Sequence, residues 1–225
     1  MFYFFVFIFL ILLVVLFFMA RRRTLIDWQH PGLNWMDGLN RLYCHHFHRL
    51  QGKMITLPEQ GAAIVVANHI SGLDPMLLLA MSPRRLRFLI AVEEYERFGF
   101  TWLYRRVGCI PVDRQGRPEV AFRLALRALE EGEVVALFPQ GRIQHPSETM
   151  TRLKSGAVRL AYLSGTPITP LHIRGVRGAG DVFLPLFLPG KVVIEQYPSI
   201  EVTKEQSKAA LHRMTDCISG ATPTS

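Results

Sequence analysis

Ala62-Ala63-Ile64-Val65-Val66-Ala67 runs directly into Asn68-His69-Ile70-Ser71-Gly72-Leu73-Asp74, and Pro75 then opens Met76-Leu77-Leu78-Leu79-Ala80-Met81. The first six residues are apolar without interruption and half are β-branched, as expected of a strand buried on both faces. The next seven carry the polar and turn-forming residues. Proline at the first helical position then predicts a helix over 75–81. Strand, polar turn, helix is the repeating unit of an α/β sheet. In such sheets ligands gather at the carboxyl ends of strands, which is where His69 stands.

The pattern continues on both sides. Strands are expected at Arg87–Ala91, Cys109–Val112, Val134–Phe138, Ile168–Ile173 and Val192–Gln196. Helices are expected at Glu93–Val107, Leu153–Leu163 and Thr203–Ser219. Pro118–Glu131 is a helix with proline at its start, Gly132 past its end and Glu119–Arg123 at i,i+4. This alternation predicts a mostly parallel central sheet flanked by helices. The division expected is 1–23 as an anchor, 28–51 as an amphipathic interfacial helix, 52–203 as the catalytic domain, and 204–225 as a last helix with a frayed tail.

The chain has 225 residues, 49% of them hydrophobic, with 26 Lys+Arg against 18 Asp+Glu for a formal charge of +8. That length suits one domain with an appendage, and the composition excludes a wholly disordered chain. The apolar content is concentrated at the start. Met1–Ala20 holds no charged residue, and Arg21, Arg22 and Arg23 follow at once. As a helix, residues 2–20 would reach about 28 Å, close to the hydrocarbon thickness of a bilayer. The arginines favour a cytoplasmic side for the remainder of the chain and stand where a cleaved signal peptide would need small residues. A membrane anchor is expected, as a span or as a helix lying in the interface. Cys44, Cys109 and Cys217 are widely spaced and odd in number, so they form no disulfide framework and agree with a reducing compartment. Cys44, His45, His46 and His48 invite a metal reading, but no carboxylate or second cysteine completes a tetrahedral set, and no metal site is expected. The surplus arginine comes without a nucleic-acid-binding motif, so lipid headgroups and phosphate-bearing substrates are the expected partners, not nucleic acid.

Chemistry is written first at His69 and Asp74. Histidine acts as a general base near neutral pH when a partner fixes its tautomer. Asp74, five residues on, can fold back around Ser71-Gly72 and accept a hydrogen bond from the imidazole. That is the base and orienting acid of a hydrolytic triad without its nucleophile, so the attacking hydroxyl would come from a substrate. Three further stretches are tied to predicted strands: the first sets Arg114 just after one, the second follows one, and the third places Pro170 within one. They are Gly108-Cys109-Ile110-Pro111-Val112-Asp113-Arg114, Phe138-Pro139-Gln140-Gly141-Arg142 and Ile168-Thr169-Pro170-Leu171. In order and spacing the four resemble the blocks of the glycerophospholipid acyltransferase family, whose best-known bacterial members are lysophosphatidate acyltransferases. The resemblance covers roughly residues 50 to 200.

The resemblance implies an O-acyltransferase of phospholipid biosynthesis. His69 would remove the proton from the acceptor hydroxyl and Asp74 would orient it, with direct attack on an acyl thioester and no acyl-enzyme. Arg114 would hold the acceptor's phosphate. Asn68, Phe138, Pro139, Gln140, Gly141, Arg142 and Lys154 would shape the substrate site. The donor would be acyl-CoA or acyl carrier protein, the acceptor 1-acyl-sn-glycerol-3-phosphate, and no metal or organic cofactor would be needed. The place of action would be the inner, cytoplasmic membrane of a bacterial-type cell, with the catalytic domain on the cytoplasmic side. An apolar groove for the acyl chain is expected in part from Leu77, Leu78, Trp102 and Leu103. The third block departs from the family's Phe-Pro-Glu-Gly-Thr-Arg. Gln140 stands for the glutamate, Arg142 for the threonine and Ile143 for the arginine, which leaves another lysophospholipid or an amino-acid lipid open as acceptor. A hydrolase using the same pair, and an adaptor that has lost activity, are the other readings. The first lacks a Gly-x-Ser-x-Gly elbow, and the intact His69–Asp74 pair weighs against the second.

Overall fold

The computed structural model describes residues 1–148 and 152–221. The chain opens with α1 (Phe2–Arg23) and α2 (Pro31–Leu42), and α2 runs into a π-helical turn at Tyr43–Phe47. Next come β1 (Ala63–Ala67), α3 (Asp74–Met81), β2 (Leu86–Ala91), α4 (Val92–Tyr95), α5 (Thr101–Arg106) and β3 (Ile110–Val112). The second half holds α6 (Pro118–Glu130), β4 (Val134–Leu137), α7 (Gly156–Ser164), β5 (Ile168–Arg174), α8 (Leu184–Phe187), β6 (Val193–Gln196) and α9 (Ser207–Ser219).

The six strands lie in the order β3-β2-β4-β1-β5-β6. The first five are mutually parallel and β6 runs antiparallel to β5. This is the α/β sheet expected from the alternation of strand and helix signals. The central strands are buried on both faces because helices cover both. Along β1 the side chains alternate. Ala63, Val65 and Ala67 join a core with Leu77, Met81 and Phe88. Ile64 and Val66 join the opposite core with Ala125, Leu160 and Met214. α3 therefore leaves β1 on one face, and α7 leaves the neighbouring β4 on the other. Adjacent parallel strands whose connections part in this way open a crevice at their carboxyl ends. Register levels those ends, with Val66 opposite Leu137 and Ala67 opposite Leu171.

The N-terminal helix is tied to this frame. Residues 2–23 form the one helix among those described that is long and apolar enough to cross a membrane, with mean hydropathy 3.2 over its most apolar 18 residues. Its last turns pack on α2 at Ala20 and Gly38. A Cβ at Gly38 would stand 1.8 Å from the Ala20 carbonyl oxygen, so this crossing admits only glycine. Thr24 Oγ1 donates to the Asn34 carbonyl at 2.6 Å. On α2, the buried Arg41 pairs with Asp37 at 3.0 Å and donates to the carbonyls of Ala80 and Ser82 at 2.7 and 2.9 Å. These last two lie at the end of α3, the helix that begins with Asp74.

Several boundaries differ from expectation. The helix expected over 28–51 begins at Pro31 and gives way after Leu42 to the π-helical turn, beyond which Arg49 turns the chain at φ 48. The helix expected over 93–107 is two short ones, broken where Gly99 sits at φ 85. The helix expected from Leu153 starts at Gly156, and that expected from Thr203 starts at Ser207. Leu77 and Leu78 are core residues, and Leu103 packs on Ile26, Trp28 and Leu33, so these do not line an open groove. The fraying expected for 220–225 falls largely outside the described residues.

Candidate active site

β1 delivers Asn68 and His69 to the crevice, and the turn beyond them wraps around Asp74. The Asp74 carboxylate is wholly buried and receives four hydrogen bonds. His69 Nδ1 lies 2.8 Å from Oδ2. The amides of Ile70 and Ser71 donate to the same oxygen at 2.7 and 2.9 Å. The Ser71 hydroxyl donates to Oδ1 at 2.5 Å. A carboxylate only accepts, so Nδ1 of the imidazole carries the proton and Nε2 is left as the lone-pair nitrogen. The His69 side chain is 19% exposed, so that nitrogen belongs to a ring still reachable from the crevice.

The ring is fixed on its flat side as well. Phe138, the first residue beyond β4, stacks on His69 with centroids 4.2 Å apart and planes 15° apart, and Phe88 stacks behind Phe138. Gln140 is buried, and its Oε1 accepts from the His69 amide at 3.0 Å. Its Nε2 faces Gln144 Oε1 at 3.3 Å, and the Gln144 amide donates to the His69 carbonyl at 2.8 Å. The third-block turn thus grips the backbone of the histidine. Gly141, at φ 72, lets that turn close, and its amide donates to the Phe138 carbonyl at 3.0 Å. A Cβ on Gly141 would lie 2.8 Å from Lys154 Nζ, so the lysine passes directly over the turn. Arg142 pairs with Glu148 at 2.8 Å, and that guanidinium holds the Glu148 carboxyl below the usual carboxylate range.

Other candidates stand further off. Asn68 is buried and uses both ends of its amide on Ile173, donating to its carbonyl at 2.8 Å and accepting from its amide at 2.7 Å. That locks β1 to β5 beside His69. Arg114 is exposed in the turn after β3. The backbone amides of Gly116, Arg117 and Gln115 hold the neighbouring Asp113 carboxyl below its ordinary value and pin that turn. β3 is three strands from β1, roughly 14 Å at the usual spacing, so Arg114 does not touch His69. His48 is buried against Tyr43 and Phe47, where burial lowers its pKa. Among the described residues no group of three His, Cys, Asp or Glu is placed to hold a metal ion.

Two contributors are not singled out by the sequence. Ser71 completes the shell around Asp74, and the short Ser71–Asp74 spacing is its only trace there. Gly72 meets the loop after β5. A Cβ there would stand 2.1 Å from the Val182 carbonyl oxygen, and the Gly180 amide donates to the Ile70 carbonyl at 2.7 Å. That loop carries the exposed Phe183 and Phe187, and Arg97 lies over the Phe183 ring at 5.1 Å, beside the exposed Phe98 and Phe100.

A buried acid bonded to Nδ1 of a reachable histidine can draw a proton from a bound hydroxyl or water through Nε2. A family model described as Acyltransferase matches residues 51–174, a span that takes in the strands β1 to β5 and this dyad. The chain belongs to the acyltransferase family. A probable 1-acyl-sn-glycerol-3-phosphate acyltransferase of Mycoplasma pneumoniae is 32% identical over 127 residues, 52% of this chain and 46% of that protein. The 1-acyl-sn-glycerol-3-phosphate acyltransferase of Bacillus subtilis is 24% identical over 166 residues, 72% of this chain and 80% of that one. The chain spans about half the length of most of the curated relatives it matches. Among solved structures, the 1-acyl-sn-glycerophosphate (LPA) acyltransferase of Thermotoga maritima aligns with TM-score 0.61 and 18% identity over 93% of both chains, which shows the shared fold. The fold of this acyltransferase-family chain is therefore a known one.

Proposed function

We propose that this chain transfers a fatty acyl group from a thioester to the hydroxyl of a lysophospholipid, 1-acyl-sn-glycerol-3-phosphate, to give phosphatidic acid at a membrane surface. The observation that carries the reading is the His69–Asp74 pair in the crevice of an acyltransferase-family sheet. Nε2 of His69 takes the acceptor's hydroxyl proton as the oxygen attacks the thioester carbonyl. The new C–O bond forms, the C–S bond breaks, and the departing thiolate recovers the proton from the imidazolium. Asp74 stabilises that imidazolium and holds its tautomer. The thioester is already activated, so the reaction needs no metal or organic cofactor.

Arg114, Arg142 and Lys154 supply positive charge on the β3 and β4 side of the crevice for the acceptor's phosphate. Both ends of the Gln140 amide are engaged within the protein, which supports lysophosphatidate as acceptor despite the missing glutamate. Membrane attachment is supported by the apolar α1 with Arg21–Arg23 at its end, and by exposed phenylalanines on loops beside the site. The reading places the domain on the cytoplasmic side, where acyl thioesters are made.

The test gives the purified full chain a labelled acyl thioester and a panel of lysolipids, with products identified by mass spectrometry. Labelled phosphatidic acid from lysophosphatidate is the expected product. Acylation of a different lysolipid would correct the acceptor. Free fatty acid released without regard to any lysolipid would replace transfer with hydrolysis.

A further inference from the structure

Two cavities outside the dyad are lined with cations, and they differ. One, of about 410 Å³, holds Arg84, Arg85, Arg87 and Arg106 at the amino ends of β2 and β4. Three of its four guanidinium groups are already engaged, Arg85 by the Asp27 carbonyl. Arg84 donates to the carbonyls of Pro58, Gly61 and Gly132, and Arg87 pairs with Glu133. The other, of about 390 Å³, lies at the carboxyl end of β5, the catalytic end of the sheet. Its walls are Arg49, Gly175, Arg177, Pro189, Gly190 and Lys191. It carries three positive side chains and no acidic one; Arg177 donates to the Pro189 carbonyl of the same wall at 3.4 Å, and among the described residues none of the three enters an ion pair.

This second cavity is firmly built. A Cβ on Gly175 would stand 2.1 Å from the Lys191 carbonyl oxygen, so the segments after β5 and before β6 abut. The Val192 amide donates to the His48 carbonyl at 3.1 Å and the Gln51 amide to the Val192 carbonyl at 2.8 Å, which holds Arg49 against them. It is also close to the dyad. Asn68, the neighbour of His69, is bonded to Ile173, two residues before Gly175. Chain geometry then puts the cavity within roughly 15 Å of His69. It lies on the β5–β6 side of β1, whereas Arg114, Arg142 and Lys154 come after β3 and β4 on the other side.

Acyl transfer brings two phosphate-bearing molecules to one histidine, and this sheet offers positive charge on both sides of it. We propose that the Arg49–Arg177–Lys191 cavity binds the phosphate of the donor's 4′-phosphopantetheine arm, the group common to coenzyme A thioesters and acyl carrier protein. This rests on the acyl-transfer reading. The arm's length is of the order of the distance from this cavity to His69, so a phosphate seated here delivers the thioester to the dyad. A cavity of this charge and size suits a phosphate, for which arginine forks are well shaped.

The test uses the full chain and its Arg49→Gln, Arg177→Gln, Lys191→Gln triple variant. All three side chains are exposed, so thermal unfolding of the variant should match wild type. Kinetics are measured with acyl-CoA, with acyl carrier protein, and with an acyl-N-acetylcysteamine thioester that has no phosphate. Coenzyme A binding is measured separately by calorimetry. The variant should raise KM for the phosphate-bearing donors, and weaken coenzyme A, by about tenfold or more. KM for the lysolipid and rates with the phosphate-free donor should be unchanged. An effect confined to one phosphate-bearing donor supports the site and identifies its source. Unchanged KM for both phosphate-bearing donors, a rise in the lysolipid's KM instead, or equal losses with the phosphate-free donor would each overturn it. Wild type that binds coenzyme A through these residues but acylates no lipid would leave the site standing and remove the transfer reading. Active wild type with an indifferent variant would do the reverse.

Discussion

The loop after β1 and the turn after β3 finish at the same end of one parallel sheet, yet they are built by different rules. In the first, Asp74 has no exposed surface and four donors on its two oxygens, and both neighbours of the reacting ring are tied down. In the second, Asp113 turns its carboxylate onto its own backbone amides and leaves Arg114 extended into solvent. A base must be held in one tautomer and one orientation before substrate arrives. A charge that meets a phosphate can close on it afterwards. On the function proposed above, proton transfer is preorganised in this fold while recognition of the acceptor is left adjustable.

Substitutions should track that gradient. His69→Ala removes the base and should lower the acyl-transfer rate by about three to four orders of magnitude, with membrane binding and circular dichroism retained. Asp74→Asn should cost about two to three orders of magnitude in kcat with little change in KM, since an amide presents the wrong group to Nδ1. Gln140→Ala frees the His69 amide and should lower kcat by about tenfold, while Gln140→Glu, which keeps an acceptor oxygen there, should lose less. Arg114→Ala should leave kcat nearly intact and raise the lysolipid's KM by about tenfold, with the donor's KM unmoved. A kcat effect at Arg114 as large as that at Asp74 would erase the distinction between the two loops.

Much of the preorganised half is legible in sequence, for a physical reason. The Ala62–Ala67 run has no polar interruption because β1 is central, and the polar residues beyond it mark where the strand leaves the sheet. Asp74 lies close enough in sequence for local folding to bring it back to His69. The roles of Asn68 and Gln140 are less legible. Asn68 meets Ile173 across 105 residues and Gln140 meets His69 across 71, partnerships set by strand order rather than spacing. The broken helix over 92–106 misleads for a related reason. Its apolar periodicity continues through a stretch where Gly99 at positive φ interrupts the backbone. The basic cavity beside β5 gathers Arg49, Arg177 and Lys191 from three distant segments, and only the assembled sheet brings them together.

The central claim is that His69 and Asp74 act as one unit in acyl transfer, and a double-mutant cycle tests it most directly. Single-turnover rates of labelled acyl transfer to lysophosphatidate would be compared for wild type, His69→Ala, Asp74→Asn and the double variant. If the carboxylate works only through the imidazole, the double variant should be no slower than His69→Ala alone. Losses that multiply, with Asp74→Asn slowing the reaction as much without His69 as with it, would contradict the account.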